Sequence, residues 1–137
     1  NGITVGPLLC FEGVFPDLAE REGRLGAQLL VQMSIDDWYE RTFAWEQLWQ
    51  SSVWRSIESG LPLVRVGGRG RSVATNARGD IVLMIKEGVR AAESVPIIVP
   101  DPSDAFPCRM GFVWLCWAVC LGLVVIAVWE RFGKKGA

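Results

Sequence analysis

The sequence predicts an α/β layered domain followed by one membrane-spanning helix. Three observations carry this: short apolar runs of strand length alternate with helical patterns, a hairpin signal closes the domain, and residues 111–129 form a long charge-free stretch. The chain has 137 residues, room for roughly one domain. Half of its residues are hydrophobic and its mean hydropathy is +0.27, more than a soluble domain of this size needs, and the excess lies near the C-terminus. A formal net charge of -1 gives no electrostatic case for nucleic acid binding.

Residues 3–9 read as the first strand, and 16–22 as a short helix with Pro16 opening it and Asp17 in its first turn. Residues 28–33, QLLVQM, are short and apolar enough for a buried strand. Thr42 is placed to cap a helix over 43–59 that Gly60 and Pro62 close. Trp45, Leu48, Trp49, Val53 and Ile57 recur on it at three- and four-residue spacing, predicting one apolar face. Residues 61–66, 72–75 and 81–85 read as strands, with NARGD over 76–80 as the turn between the last two. The domain therefore covers 1–94. Residues 95–110, with four prolines between Val95 and Cys108, form an extended linker.

The segment 111–129, GFVWLCWAVCLGLVVIAVW, contains no charge. About 19 residues rising ~1.5 Å each reach ~28 Å, close to a ~30 Å hydrocarbon core. A core helix would need protein on every side, and the position far from Asn1 argues against a signal peptide. Glu130, Arg131, Lys134 and Lys135 follow the span, whereas Asp101, Asp104 and a lone Arg109 precede it. The positive-inside tendency places the tail, 130–137, in the cytoplasm and the preceding domain outside, in a bacterium the periplasm. Trp114, Trp117 and Trp129 would partly anchor the interfaces. The first residue is Asn1 rather than Met and the first strand has no lead-in, which reads as the C-terminal fragment of a longer protein.

There are four cysteines and no histidine, which rules out Cys-His catalysis and His-containing metal sites within this stretch. Cys116 and Cys120 lie one turn apart inside the apolar span, where packing is their role. Cys108 stands in the linker, and no spacing beyond a shared oxidising compartment supports pairing it with Cys10. Cys10 ends the first strand just before a turn, where α/β folds present reactive groups; a nucleophile and a buried structural cysteine both fit. GGRGR at 67–71 lacks the lysine and hydroxyl of a phosphate loop and opens onto no helix, so it reads as a turn between strands. Asp36 and Asp37, with Trp38 and Tyr39, read as a loop at a strand end rather than paired acids. Glu58 is either a solvated charge or a partner for Arg55 or Arg65.

Cys10-Phe11-Glu12 followed by Val14-Phe15-Pro16-Asp17-Leu18 resembles the nucleophile segment of the apolipoprotein N-acyltransferases, Cys-Tyr-Glu ahead of Phe-Pro-Glu-Leu. Ser34-Ile35-Asp36-Asp37-Trp38-Tyr39 is similar to their Ser-Asn-Asp-Ala-Trp-Phe. Arg55, Glu58, Gly60, Pro62 and Arg65 match Arg-x-x-Glu-x-Gly-Arg-Pro-x-x-Arg, with Leu61 in place of the second arginine. The resemblance runs over roughly residues 5–129. It implies the C-terminal part of a nitrilase-like α-β-β-α sandwich with a Glu-Lys-Cys catalytic set. The activity implied is acyl transfer from a membrane phospholipid, through a Cys10 thioester, to the N-terminal amine of a diacylglyceryl-cysteine apolipoprotein, at the bacterial inner membrane. It implies no cofactor and no metal. Under it Cys10 is the nucleophile, Glu12 shapes the pocket or handles a proton, and Phe11, Trp38 and Tyr39 bind substrate. The family's general-base Glu and oxyanion-binding Lys precede the cysteine, so both would fall before Asn1, and this chain alone would be inactive. Phe11 in place of tyrosine, Ile35 in place of asparagine, and Gly68 and Arg69 in place of paired asparagines sit near the expected pocket. A membrane-tethered amidase of the nitrilase superfamily and a non-catalytic membrane-anchored module are the other readings.

Overall fold

The computed structural model describes residues 2–39, 42–101 and 109–133. The chain divides into two units, 1–107 and 108–137. In the first unit the chain runs β1 (Val5–Leu9), a 3-10 turn (Cys10–Val14), α1 (Pro16–Arg24), β2 (Leu29–Ser34), a second 3-10 turn (Asp37–Tyr39) and α2 (Ala44–Ser59). It continues through β3 (Leu63–Gly67), β4 (Ser72–Thr75) and β5 (Ile81–Ile85). The five strands form one sheet in sequence order, β1, β2 and β3 parallel, then β4 and β5 antiparallel. Each parallel step needs a crossover, which α1 and α2 supply. The predicted hairpin closes over Asn76, whose Oδ1 accepts the backbone N–H of Arg78 and of Asp80 at 2.9 and 3.0 Å.

Register fixes the chemistry of the helix-covered face. Leu30 lies beside Leu63 and Leu8 beside Gln32, which in turn lies beside Arg65. Leu8, Leu30 and Leu63 pack with Leu18 and Ala19 of α1 and with Ala27 and Leu61. Two residues further along the parallel strands this buried face turns polar, with Gln32, Ser34 and Arg65. The opposite face of the sheet carries Val5, Leu9, Met33 and Val66, each about half exposed. Among the described residues, one helical layer and one sheet of the expected sandwich are therefore present.

Most expected element ends fall within two residues of those observed. The second helix differs in kind. It begins at Ala44, and Phe43 already has helical angles with no side-chain cap; the Thr42 hydroxyl instead donates to the Tyr39 carbonyl at 2.7 Å. Its buried residues are Leu48, Ser52, Arg55, Ser56 and Ser59, so of the five-residue apolar face expected only Leu48 is fully buried, and Ile57 is 40% exposed. The serines let the helix approach the sheet closely. Ser56 and Ser59 donate to the carbonyls three and four residues back, at 2.7 and 2.6 Å, and need no solvent.

In the second unit α3 runs Arg109–Gly133, 25 residues. Among the described residues no helix is long and apolar enough to cross a membrane; side chains in α3 are described without interruption over residues 113–126, about 21 Å of helix at ~1.5 Å per residue. Residues 102–108 of the expected linker, with Cys108, and the tail 134–137 lie outside the described residues. Residues 95–101 of the expected linker contain neither helix nor strand.

The rotated buried face of α2 is testable. Leu48→Ala should cost about 2–5 kcal/mol, as core leucine truncations do, and Ile57→Ala clearly less. Chemical denaturation of the two variants checks the order, and equal losses would contradict the helix phase described.

Candidate active site

Cys10 is the first residue beyond β1 and the one non-glycine residue with positive φ, +48°, among the described residues. A left-handed conformation at a side-chain-bearing residue costs about 1–3 kcal/mol and persists only where its surroundings hold it. Three anchors hold this one. The Glu12 carboxylate accepts the Leu9 N–H at 2.8 Å, Gln32 Nε2 donates to the Cys10 carbonyl at 2.8 Å, and Arg55 donates to the Val14 carbonyl at 2.7 Å. Gln32 is itself fixed, because its Oε1 accepts the Ser52 hydroxyl at 2.5 Å. A Cβ on Gly13 would overlap the Gln32 amide, so the turn passes close only because that residue is glycine.

The side chain is presented rather than buried: Cys10 is exposed and its thiol is free. It lines a cavity of about 510 Å³ with Leu9, Met33, Ser34, Ile35, Trp38, Val66 and Gly68. The position lies beyond the carboxyl ends of parallel strands, where open α/β sheets place ligands. Trp38 thus joins Cys10. Phe11 and Tyr39 do not line that cavity; they border a second, larger groove of about 590 Å³ with Val14, Leu48 and Trp54. Phe11 also packs edge-on against Phe15, with ring centroids 5.8 Å apart. Glu12 caps the turn through its backbone contact.

Beneath the cavity lies an ion pair the sequence did not reveal. Asp36 and Arg65 have side chains 1% exposed each, and one guanidinium nitrogen donates to both carboxylate oxygens at 2.8 Å. The Ser34 hydroxyl donates to Asp36 Oδ1 at 2.6 Å and stands 3.8 Å from the Cys10 sulfur. Glu58 pairs with Arg55 at 2.9 Å, the partner reading left open above. The GGRGR stretch is the turn expected, and its glycines have a purpose: a Cβ at Gly70 would overlap the Asp36 carboxylate. Gly68 N–H donates to the Ser34 carbonyl at 2.8 Å, which ties the turn to β2.

Arg71 holds the far end of this turn. It pairs with Glu46 at 2.8 Å and Glu87 at 2.7 Å, and its guanidinium lies 5.4 Å from the Trp49 ring centroid. The hydrogen bond from Arg71 holds the Glu87 carboxyl below its ordinary 4.5, helped by a backbone hydrogen bond and by the charges of Arg71 and Lys86.

The chain is 30% identical over 135 residues to an apolipoprotein N-acyltransferase of Sinorhizobium medicae and 33% identical over 126 residues to one of Geobacter metallireducens. The alignments cover 97% and 90% of this chain. The chain is a relative of the apolipoprotein N-acyltransferases. It spans 24% and 23% of the length of those two acyltransferases. Among solved structures, Saccharomyces cerevisiae Nit3 of the nitrilase superfamily superposes with a TM-score of 0.55 at 22% identity, over 63% of this chain and 34% of that one. This likeness shows the fold. No protein-family model matches the chain.

Because the folded state lowers the Glu87 value, its stabilisation is complete above the ordinary carboxylate range and fades as pH falls through the lowered value. Arg71→Gln should raise the Glu87 titration toward the ordinary range in a carbon-detected NMR titration. An unchanged titration would show that the Arg71 contact does not form in solution.

Proposed function

We propose that Cys10 is the acyl-carrying nucleophile of a lipoprotein N-acyltransferase, and that the chain supplies the C-terminal part of its catalytic domain. One observation supports this above the others. The single left-handed cysteine, at the end of a parallel strand and open to a cavity, belongs to a chain whose relatives bear that enzyme's name. Strain held by three anchors at one exposed thiol is what a fixed nucleophile needs and what a core cysteine does not.

The chemistry proceeds in two balanced steps. The Cys10 thiolate adds to the ester carbonyl of a phospholipid. The tetrahedral oxyanion collapses by expelling the lysophospholipid oxygen, which takes up a proton, and leaves a thioester. The free α-amine of a diacylglyceryl-cysteine apolipoprotein then adds to the thioester and gives one N–H proton to the carboxylate base, and the thiolate leaves as the amide forms. Two easier substitutions replace one difficult transfer. Leu9, Met33 and Trp38 give the cavity the apolar walls an acyl chain requires, while Phe11 and Tyr39 on the neighbouring groove are placed to take another part of either lipid. Glu12 keeps the turn in shape. The carboxylate base and the lysine that would stabilise the oxyanion are contributed by the rest of the enzyme. The apolar sheet face with Val5 and Val66 would receive the second sheet of an α-β-β-α sandwich.

Residues 111–129 would cross the bacterial inner membrane and hold the domain at the surface where both lipid substrates lie. The helical backbone of α3 extends beyond this stretch at both ends, and no charge interrupts it. The catalytic domain would then face the periplasm.

In the full-length enzyme Cys10→Ala should abolish transfer without loss of folded protein. Mass spectrometry after incubation with phospholipid should find a fatty-acyl mass on the Cys10 peptide, released by hydroxylamine. Transfer at the parent rate by Cys10→Ala would refute the nucleophile assignment. For sidedness, a membrane-impermeant thiol reagent applied to intact spheroplasts should label Cys108 and spare a cysteine introduced at Ala137. The reverse pattern would invert the topology.

A further inference from the structure

Ser34 stands between two acceptors with one proton to give. Its Oγ is 2.6 Å from Asp36 Oδ1 and 3.8 Å from Cys10 Sγ. An ionised carboxylate is the stronger acceptor and a thiol sulfur a weak one, so the proton goes to Asp36 while Cys10 is a thiol. The Ser34 lone pairs then face the sulfur and accept from its S–H. Little of this arrangement is free to drift. Arg65 donates to both Asp36 oxygens, Gly68 N–H fixes the Ser34 carbonyl, and Ser34 is 7% exposed.

When Cys10 becomes a thiolate the ranking changes. The sulfur now carries a full charge and has lost its proton. Asp36 can give up the hydroxyl because both its oxygens keep their hydrogen bonds from Arg65. Rotation about the Ser34 Cβ–Oγ bond then turns the proton to the sulfur, and no covalent bond is made or broken. We propose that Ser34 is a positioning residue for Cys10, a hydroxyl switch that orients the thiol at rest and solvates the thiolate once formed. The proposal rests on Cys10 being the nucleophile, with its proton passing to a carboxylate base of the whole enzyme. Gln32, two residues earlier on the same face of β2, holds the Cys10 carbonyl, so one strand fixes both the backbone and the sulfur of the nucleophile.

The test uses the full-length protein and two readouts. Alkylation of Cys10 by iodoacetamide at neutral pH, followed on its peptide by mass spectrometry, reports the sulfur whether or not it carries acyl groups. Ser34→Ala should slow it about tenfold, the order expected for losing one hydrogen bond to a charged group. The rate of thioester formation should fall by a similar factor, with KM for phospholipid changed less than about twofold. Ser34→Thr and Ser34→Val have the same shape and differ in the hydroxyl alone, so Thr should alkylate about tenfold faster than Val. This pair decides the matter if Ser34→Ala does not fold. Equal alkylation by Thr and Val, or parental alkylation by a folded Ser34→Ala, would overturn the role of Ser34 and leave the nucleophile standing. Transfer surviving Cys10→Ala would overturn the nucleophile instead, and the alkylation contrast would still report on the switch.

Discussion

The buried pair between Asp36 and Arg65 is the constraint on which the rest of the site depends. Burying two charges costs several kcal/mol per ion, and mutual attraction offsets this only with good geometry and further hydrogen bonds. Here the carboxylate receives both bonds from Arg65 and one from Ser34, while a second guanidinium nitrogen donates to the Arg71 carbonyl at 2.5 Å. Arg65 Nε alone of that guanidinium has no hydrogen-bond partner among the described residues. Such a pair adds little to stability over an apolar core, but it specifies position. It fixes the end of β2, the turn after β3 and the serine next to Cys10 in one step.

That fixation explains why the family-like residues lie far apart in the chain yet meet at one place. Arg55 holds the Val14 end of the cysteine turn, Arg65 holds Asp36, and Glu58 neutralises Arg55 from the next turn of the helix. Each replaces solvent at a buried polar group. The departures from the family pattern divide along the same lines. Leu61 is fully buried in the apolar core, so it is a packing residue where an arginine could not stay hydrated. Ile35 and Gly68 line the cysteine cavity, so the wall there carries no asparagine amide at either position.

The sequence already contained the element order, the hairpin and the helical stretch near the C-terminus, because each is a local pattern of hydropathy and turn residues. It also marked Cys10, since a cysteine at a strand end before a turn is read within a few positions. The phase of α2 departs from its hydropathy pattern for a physical reason. Serines that bond their own helix backbone behave as small buried residues, so hydropathy alone assigned the inward face to the tryptophans. The sequence leaves Glu58 two roles because ion pairing depends on what lies across the fold.

What the sequence determined by itself was therefore the list of parts: three strands crossing over through helices, a hairpin, and a cysteine at a strand end. What the tertiary structure alone decided was the company Cys10 keeps. Ser34, Asp36 and Arg65 lie 24 to 55 positions away from it in the chain, and parallel pairing of β1, β2 and β3 brings their ends together. Parallel register sets strand ends side by side across long crossovers. No local pattern encodes which polar residue will then stand beside the sulfur.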